Sequence, residues 1–89
     1  MIKKELDLSV VIISSKLDYL EQCLNTLFKA LNGLNCEVIL IDNVSADNIG
    51  QKVKKDYPQI KVLRREVNGG FGENNNMGMR IAKGRYVLL

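Results

Sequence analysis

Three short stretches of this chain carry side chains and backbone that could do chemistry. Asp42 follows a β-branched run and opens the polar stretch Asp42-Asn43-Val44-Ser45-Ala46-Asp47. A carboxylate at the tip of a buried strand can accept hydrogen bonds from a ligand's N–H or hydroxyl groups; it can equally do no more than cap a turn. Asn68-Gly69-Gly70-Phe71-Gly72 has glycines at three of four successive positions. Such a loop admits positive φ and close approach of a ligand, and where it leads into a helix its N–H groups can face an anion. A tight turn with no ligand explains the same residues. Asn74-Asn75-Asn76 is a run of poor helix formers, which asks for a cap, a buried hydrogen bond or a ligand. Arg64 and Arg65 could neutralise a phosphate, although a solvated strand end is their commoner use.

The elements around these stretches must bring them together. Leu8 to Ile13 and Glu37 to Ile41 carry the uninterrupted apolar runs Val10 to Ile13 and Val38 to Ile41, as in strands buried on both faces of a parallel sheet. Between them, Leu17, Leu20, Leu24, Leu27, Phe28 and Leu31 step by three and four, an apolar helical stripe that Gly33 stops. Asp47 can cap a second helix, with Ile49, Val53 and Tyr57 inward, Lys52, Lys54 and Lys55 outward, and Pro58 at its end. Ile60 to Leu63 is a third strand. Asn74 to Lys83 can form a third helix with Met77, Ile81 and Ala82 inward and Gly84 as its stop. Tyr86 to Leu89 begins a fourth strand. The order βαβαβαβ implies a Rossmann-like, three-layer α/β sandwich with a parallel sheet and right-handed crossovers. In such sheets ligands bind at the carboxyl ends of the strands, which gathers Ser14-Ser15-Lys16, Asp42 to Asp47 and Asn68 to Asn76 at one end.

Composition removes several function classes. The chain has 89 residues, enough for one small domain, and is 46% hydrophobic. Its net charge of +3 comes from scattered lysines and arginines, and with five aromatic residues in all it does not suit nucleic-acid binding. The absence of histidine removes His-based triads and His-containing zinc sites. Cys23 and Cys36 lack metal-ligand spacing and are expected to be buried, reduced thiols. No secretion signal or membrane span is visible, so the expected compartment is the cytoplasm. The turn after the first strand has no glycine, against a dinucleotide-binding fingerprint, and there is no Walker A pattern.

Residues Leu8 to Leu89 resemble the start of the inverting family 2 glycosyltransferases of the GT-A fold, and most of all their rhamnosyltransferase-like branch. Five pieces stand in register. They are Ser9 to Ile12, Tyr19 to Leu27, Glu37 to Asp47, the Asn68 to Gly72 loop with Asn75 to Gly78, and Gly84 to Leu89. The resemblance implies strand order 3-2-1-4 and makes residues 1–89 the nucleotide-sugar-binding half of a GT-A domain. It implies that Asp42 reads the base, usually uracil or thymine, and that Ser14 lies where the first strand's backbone meets the same base. Asn68, Gly70 and Asn76 are implied to shape the floor under the nucleotide sugar, and Asn43 to belong to the same nucleotide-sugar site. The implied donor is a UDP- or dTDP-sugar and the implied acceptor a glycan or a lipid-linked glycan. The reaction needs a divalent cation, Mn or Mg, from a motif expected after Leu89, so that this stretch alone binds no metal and has no catalytic residue. A parent enzyme could sit peripherally at the inner face of the cell membrane.

Two features depart from the family pattern. The usual Pro-Thr-Tyr-Asn reads Ile13-Ser14-Ser15-Lys16, one residue shorter, with Ser15 where a base-stacking tyrosine is usual. That departure and the stop at Leu89 support a second reading, a non-catalytic self-associating module without nucleotide binding. In either reading the fourth strand is an open apolar edge, which implies a homo-oligomer through that strand.

Overall fold

A computed structural model describes residues 6–14, 20–43, 49–65 and 70–89 of the chain, and for Phe71 the backbone alone. The elements are β1 (Leu6–Ser14), α1 (Leu20–Ala30), β2 (Cys36–Asn43), α2 (Ile49–Asp56), β3 (Lys61–Arg65), α3 (Phe71–Ile81) and β4 (Gly84–Leu88). All strand pairs are parallel and the order is β3-β2-β1-β4, the α/β architecture expected from the sequence.

The core lies on both faces of the sheet because alternate residues of β1 and β2 point opposite ways. On one face Val10, Val38 and Leu40 pack with Leu20 and Leu24 of α1, Ile49 and Val53 of α2, and Leu31 and Ile60. Phe28 stacks on Tyr57, ring centroids 5.6 Å apart, and joins the two helices. On the other face Val11, Ile39 and Ile41 pack with Met77 and Ile81 of α3 and with Ala82. The helix-terminating glycine at position 33 has φ +85°, a conformation other residues rarely adopt. Leu17 and Asp47, expected in the first stripe and as a cap, lie outside the described residues.

Three expectations need correction. α3 begins at Phe71, three residues before Asn74, and its N-cap is Gly70 in extended backbone without a side-chain cap. Packing of Met77 and Ile81 on the sheet overrides the poor helix propensity of its first half. Gly84 does not stop the helix: the chain turns extended at Ala82, and Gly84 opens β4 against β1. A Cβ there would stand 2.5 Å from the Ser9 nitrogen, so the strands meet as they do because residue 84 has none. Cys23 is exposed and Cys36 half-buried, both free. Cys23 borders the Leu20–Leu24–Leu27 stripe instead of lying within it, and lines an apolar groove between α1, β1 and the end of β4.

A buried polar cluster ties the sheet at its amino-terminal end. The Ser9 hydroxyl donates to Glu37 Oε2 at 2.5 Å and accepts from the Gly84 N–H at 2.8 Å. The Lys83 N–H donates to the same Oε2 at 2.6 Å, and Lys61 Nζ lies 2.7 Å from Oε1. One carboxylate thus joins β1, β2, β3 and the start of β4.

Candidate functional site

The carboxyl ends of β1, β2 and β3 form one edge of the molecule, and register places the candidate residues there. Ser14 pairs with Asp42, and Asp42 with Arg64; Asn43 pairs with Arg65. Asp42 is 1% exposed at the end of the buried run Val38 to Ile41. A carboxylate so deep must be held by donors. Its Oδ2 accepts the Gly50 N–H at 3.1 Å and Arg64 Nη1 at 3.0 Å. Arg64 is therefore an ion-pair partner of Asp42, with 36% of its side chain exposed. Arg65 is committed to α3: one guanidinium nitrogen reaches Met77 Sδ at 3.1 Å and the other Glu73 Oε2 at 3.3 Å.

The third stretch divides. Asn68 lies outside the described residues. Gly70 is exposed and caps α3, its carbonyl accepting the Asn74 N–H at 3.0 Å. A Cβ at Gly70 or at Gly72 would meet no atom of the described residues within 4 Å. Among the described residues, neither packing nor backbone strain demands glycine at position 70. Asn74 and Asn75 are buried and Asn76 is exposed. Two of the three asparagines thus turn into the protein, and Asn76 is left accessible. The structure brings Ser14, Asp42 and Asn43 together at the strand tips.

Gly50 and the pairing of Arg64 with Asp42 escaped the sequence reading. Both depend on the register between β2 and β3 and on the approach of α2, which residue spacing does not reveal. The sequence offers only an arginine at the end of one strand and an aspartate at the end of another, 22 residues apart. Among the described residues, no three His, Cys, Asp or Glu side chains converge on a point that could hold a metal ion.

Comparison with known proteins decides the family. The model of glycosyl transferase family 2 matches residues 9–89, nearly the whole chain. The chain belongs to glycosyl transferase family 2. It is 35% identical over 74 residues to the glycosyltransferase GlyG of Streptococcus pneumoniae, a match that covers 80% of this chain and 24% of that protein. It is 34% identical over 87 residues to the poly(ribitol-phosphate) beta-glucosyltransferase of Bacillus spizizenii, 91% of this chain and 14% of that one. Among solved structures, residues 1–349 of S. aureus TarS superpose with a TM-score of 0.78 at 29% identity, over 92% of this chain and 26% of that one. This family 2 chain thus spans 14% to 26% of the length of these relatives. No helix among the described residues is long and apolar enough to cross a membrane.

Proposed function

We propose that this chain is the nucleotide-recognising part of a family 2 glycosyltransferase, with Asp42 reading the base of a UDP- or dTDP-sugar. The observation that carries the reading is a buried carboxylate held at the shared tip of β1 and β2, in a chain of this family. Ser14 and Asn43 flank it, and the start of α3 with Gly70 and the exposed Asn76 offers N–H and amide groups toward the sugar diphosphate. Asn68 belongs to the same proposal. The rhamnosyltransferase-like branch makes a dTDP-activated deoxysugar one donor to assay, beside the UDP-sugars.

The whole protein would join an acceptor hydroxyl of a glycan or lipid-linked glycan to the anomeric carbon as the bond to the nucleoside diphosphate breaks, inverting that carbon. The hydroxyl proton needs a base. A divalent cation would neutralise the diphosphate. No step here is assigned to the described residues. Such a protein would work in the cytoplasm, at the inner face of the membrane if its acceptor is lipid-linked.

Titration of the isotopically labelled chain with UDP and dTDP, followed by backbone amide shifts, tests the reading. Shifts at Ser14, Asp42 and Gly70 that disappear in Asp42→Ala are expected. A silent titration of a well-folded sample would favour the non-catalytic module instead. We also propose self-association through β4, where Tyr86, Leu88 and Leu89 are 67%, 53% and 57% exposed along an edge that no other described strand pairs with. Sedimentation at rising concentration should show a dimer, and monomer alone throughout would rule that out.

A further inference from the structure

Two residues that the nucleotide reading does not use touch Asp42 directly. Arg64 reaches it from β3 and Gly50 from the first turn of α2, and both donate to the same oxygen, Oδ2. The carboxylate is thus gripped by two donors from two different elements, while Asp42 itself belongs to a third. Two directed bonds to one oxygen leave little freedom in the side-chain torsions. Gly50 is suited to this contact by what it lacks: a Cβ would stand 3.0 Å from Asp42 Oδ2 and 2.8 Å from Val62 Cγ1. Any larger residue would push α2 away from the strand tip or displace the carboxylate. Arg64 is 36% exposed, but the carboxylate it meets is 1% exposed, so removing the arginine leaves a buried charge short of a donor and folding must be checked in each variant. Beside that stabilisation, the bond fixes the direction of the carboxylate.

We infer that Arg64 and Gly50 are positioning residues for base recognition, holding the Asp42 carboxylate in the orientation that reads the nucleotide. The inference rests on the nucleotide reading of Asp42. Arg64 acts through Asp42 and not on the ligand, which separates this role from a direct phosphate contact.

The test compares wild type, Arg64→Gln, Arg64→Lys, Gly50→Ala, Asp42→Asn and the double variant Asp42→Asn/Arg64→Gln. Each is checked for folding by its amide spectrum and titrated with uridine, UDP and pyrophosphate. Arg64→Gln should weaken uridine and UDP alike by on the order of tenfold and leave pyrophosphate unchanged, since a charge-assisted bond is lost from the base-reading group. Arg64→Lys, which keeps a charge within reach of Oδ2, should recover part of the loss. Gly50→Ala should mimic Arg64→Gln. In the Asp42→Asn background Arg64→Gln should cost nothing further, the signature of two residues acting as one unit. The inference is overturned if Arg64→Gln binds uridine as wild type does, or if it weakens uridine equally with and without Asp42. A loss confined to UDP and pyrophosphate would overturn it in favour of a phosphate contact. If folded wild type binds none of the probes, the nucleotide reading falls first and the inference with it; wild-type binding with an indifferent Arg64→Gln defeats the inference alone.

Discussion

Replacing Glu37 with glutamine should loosen the sheet by about 2 kcal/mol at neutral pH. Glu37 Oε2 accepts two short bonds, from the Ser9 hydroxyl at 2.5 Å and the Lys83 N–H at 2.6 Å. Hydrogen bonds to a charged group are worth ~1.5–3 kcal/mol each, and a neutral acceptor gives about half. Glutamine keeps the acceptor and forfeits the charge, a loss of roughly 2 kcal/mol over the two bonds. The Lys61 contact adds at most about 1 kcal/mol, because that lysine is 44% exposed. Burial pushes the Glu37 carboxyl up, but the hydrogen bonds from Lys61, Ser9 and the Lys83 amide, with the Lys61 charge, outweigh it and hold its pKa below the ordinary value. A group whose pKa is depressed by folding contributes fully above its unfolded pKa, and the contribution fades as pH falls through the folded value. The difference between wild type and Glu37→Gln should therefore be largest near neutrality and shrink below about pH 4.5. Urea unfolding reads it directly: with a slope near 1 kcal/mol per molar, the midpoint should drop by about 2 M. A gap under about 0.5 kcal/mol at neutral pH, or one of equal size at about pH 3, would mean that the charge on Glu37 does not hold the sheet.

Other perturbations probe the packing. Gly84→Ala places a methyl 2.5 Å from the Ser9 nitrogen and 2.6 Å from the Leu8 carbonyl carbon, backbone atoms that cannot step aside. It should cost about 1–3 kcal/mol and speed hydrogen exchange along β4; unchanged protection there would contradict the strand contact. Gly78→Ala drives a methyl to 2.4 Å from Val11 Cγ1, and adding Val11→Ala should recover part of the loss in thermal unfolding. Leu24→Ala, at a position with no exposure, should cost roughly 2–5 kcal/mol by chemical denaturation. A cost near zero would mean that α1 does not pack as described.

The layered fold could be read from the chain because its strongest signals are local. Val38 to Ile41 is buried on both faces, as an uninterrupted β-branched and leucine run implies. Leu20, Leu24 and Leu31 fall on one buried stripe, as their spacing requires. The start of α3 was misplaced because Phe71-Gly72-Glu73-Asn74 carries little helix propensity, and the helix is held there by tertiary contacts. Asp42 stood out as a carboxylate closing an apolar run. Its partners did not, since Arg64 is 22 residues away and meets it only through strand register. The Ser9–Glu37 contact spans 28 residues and was hidden for the same reason. Gly50 and Gly78 sit inside helices, where a glycine looks like a weakness until the neighbouring side chain is known.

Asp42 is proposed to read a nucleotide base at the shared tip of β1 and β2. A crystal structure of the chain soaked with UDP tests it most directly. The base is expected at that tip, its N–H within hydrogen-bonding distance of the Asp42 carboxylate, with the diphosphate running toward Gly70. UDP bound elsewhere, or bound at the tip with its base turned away from Asp42, would contradict it.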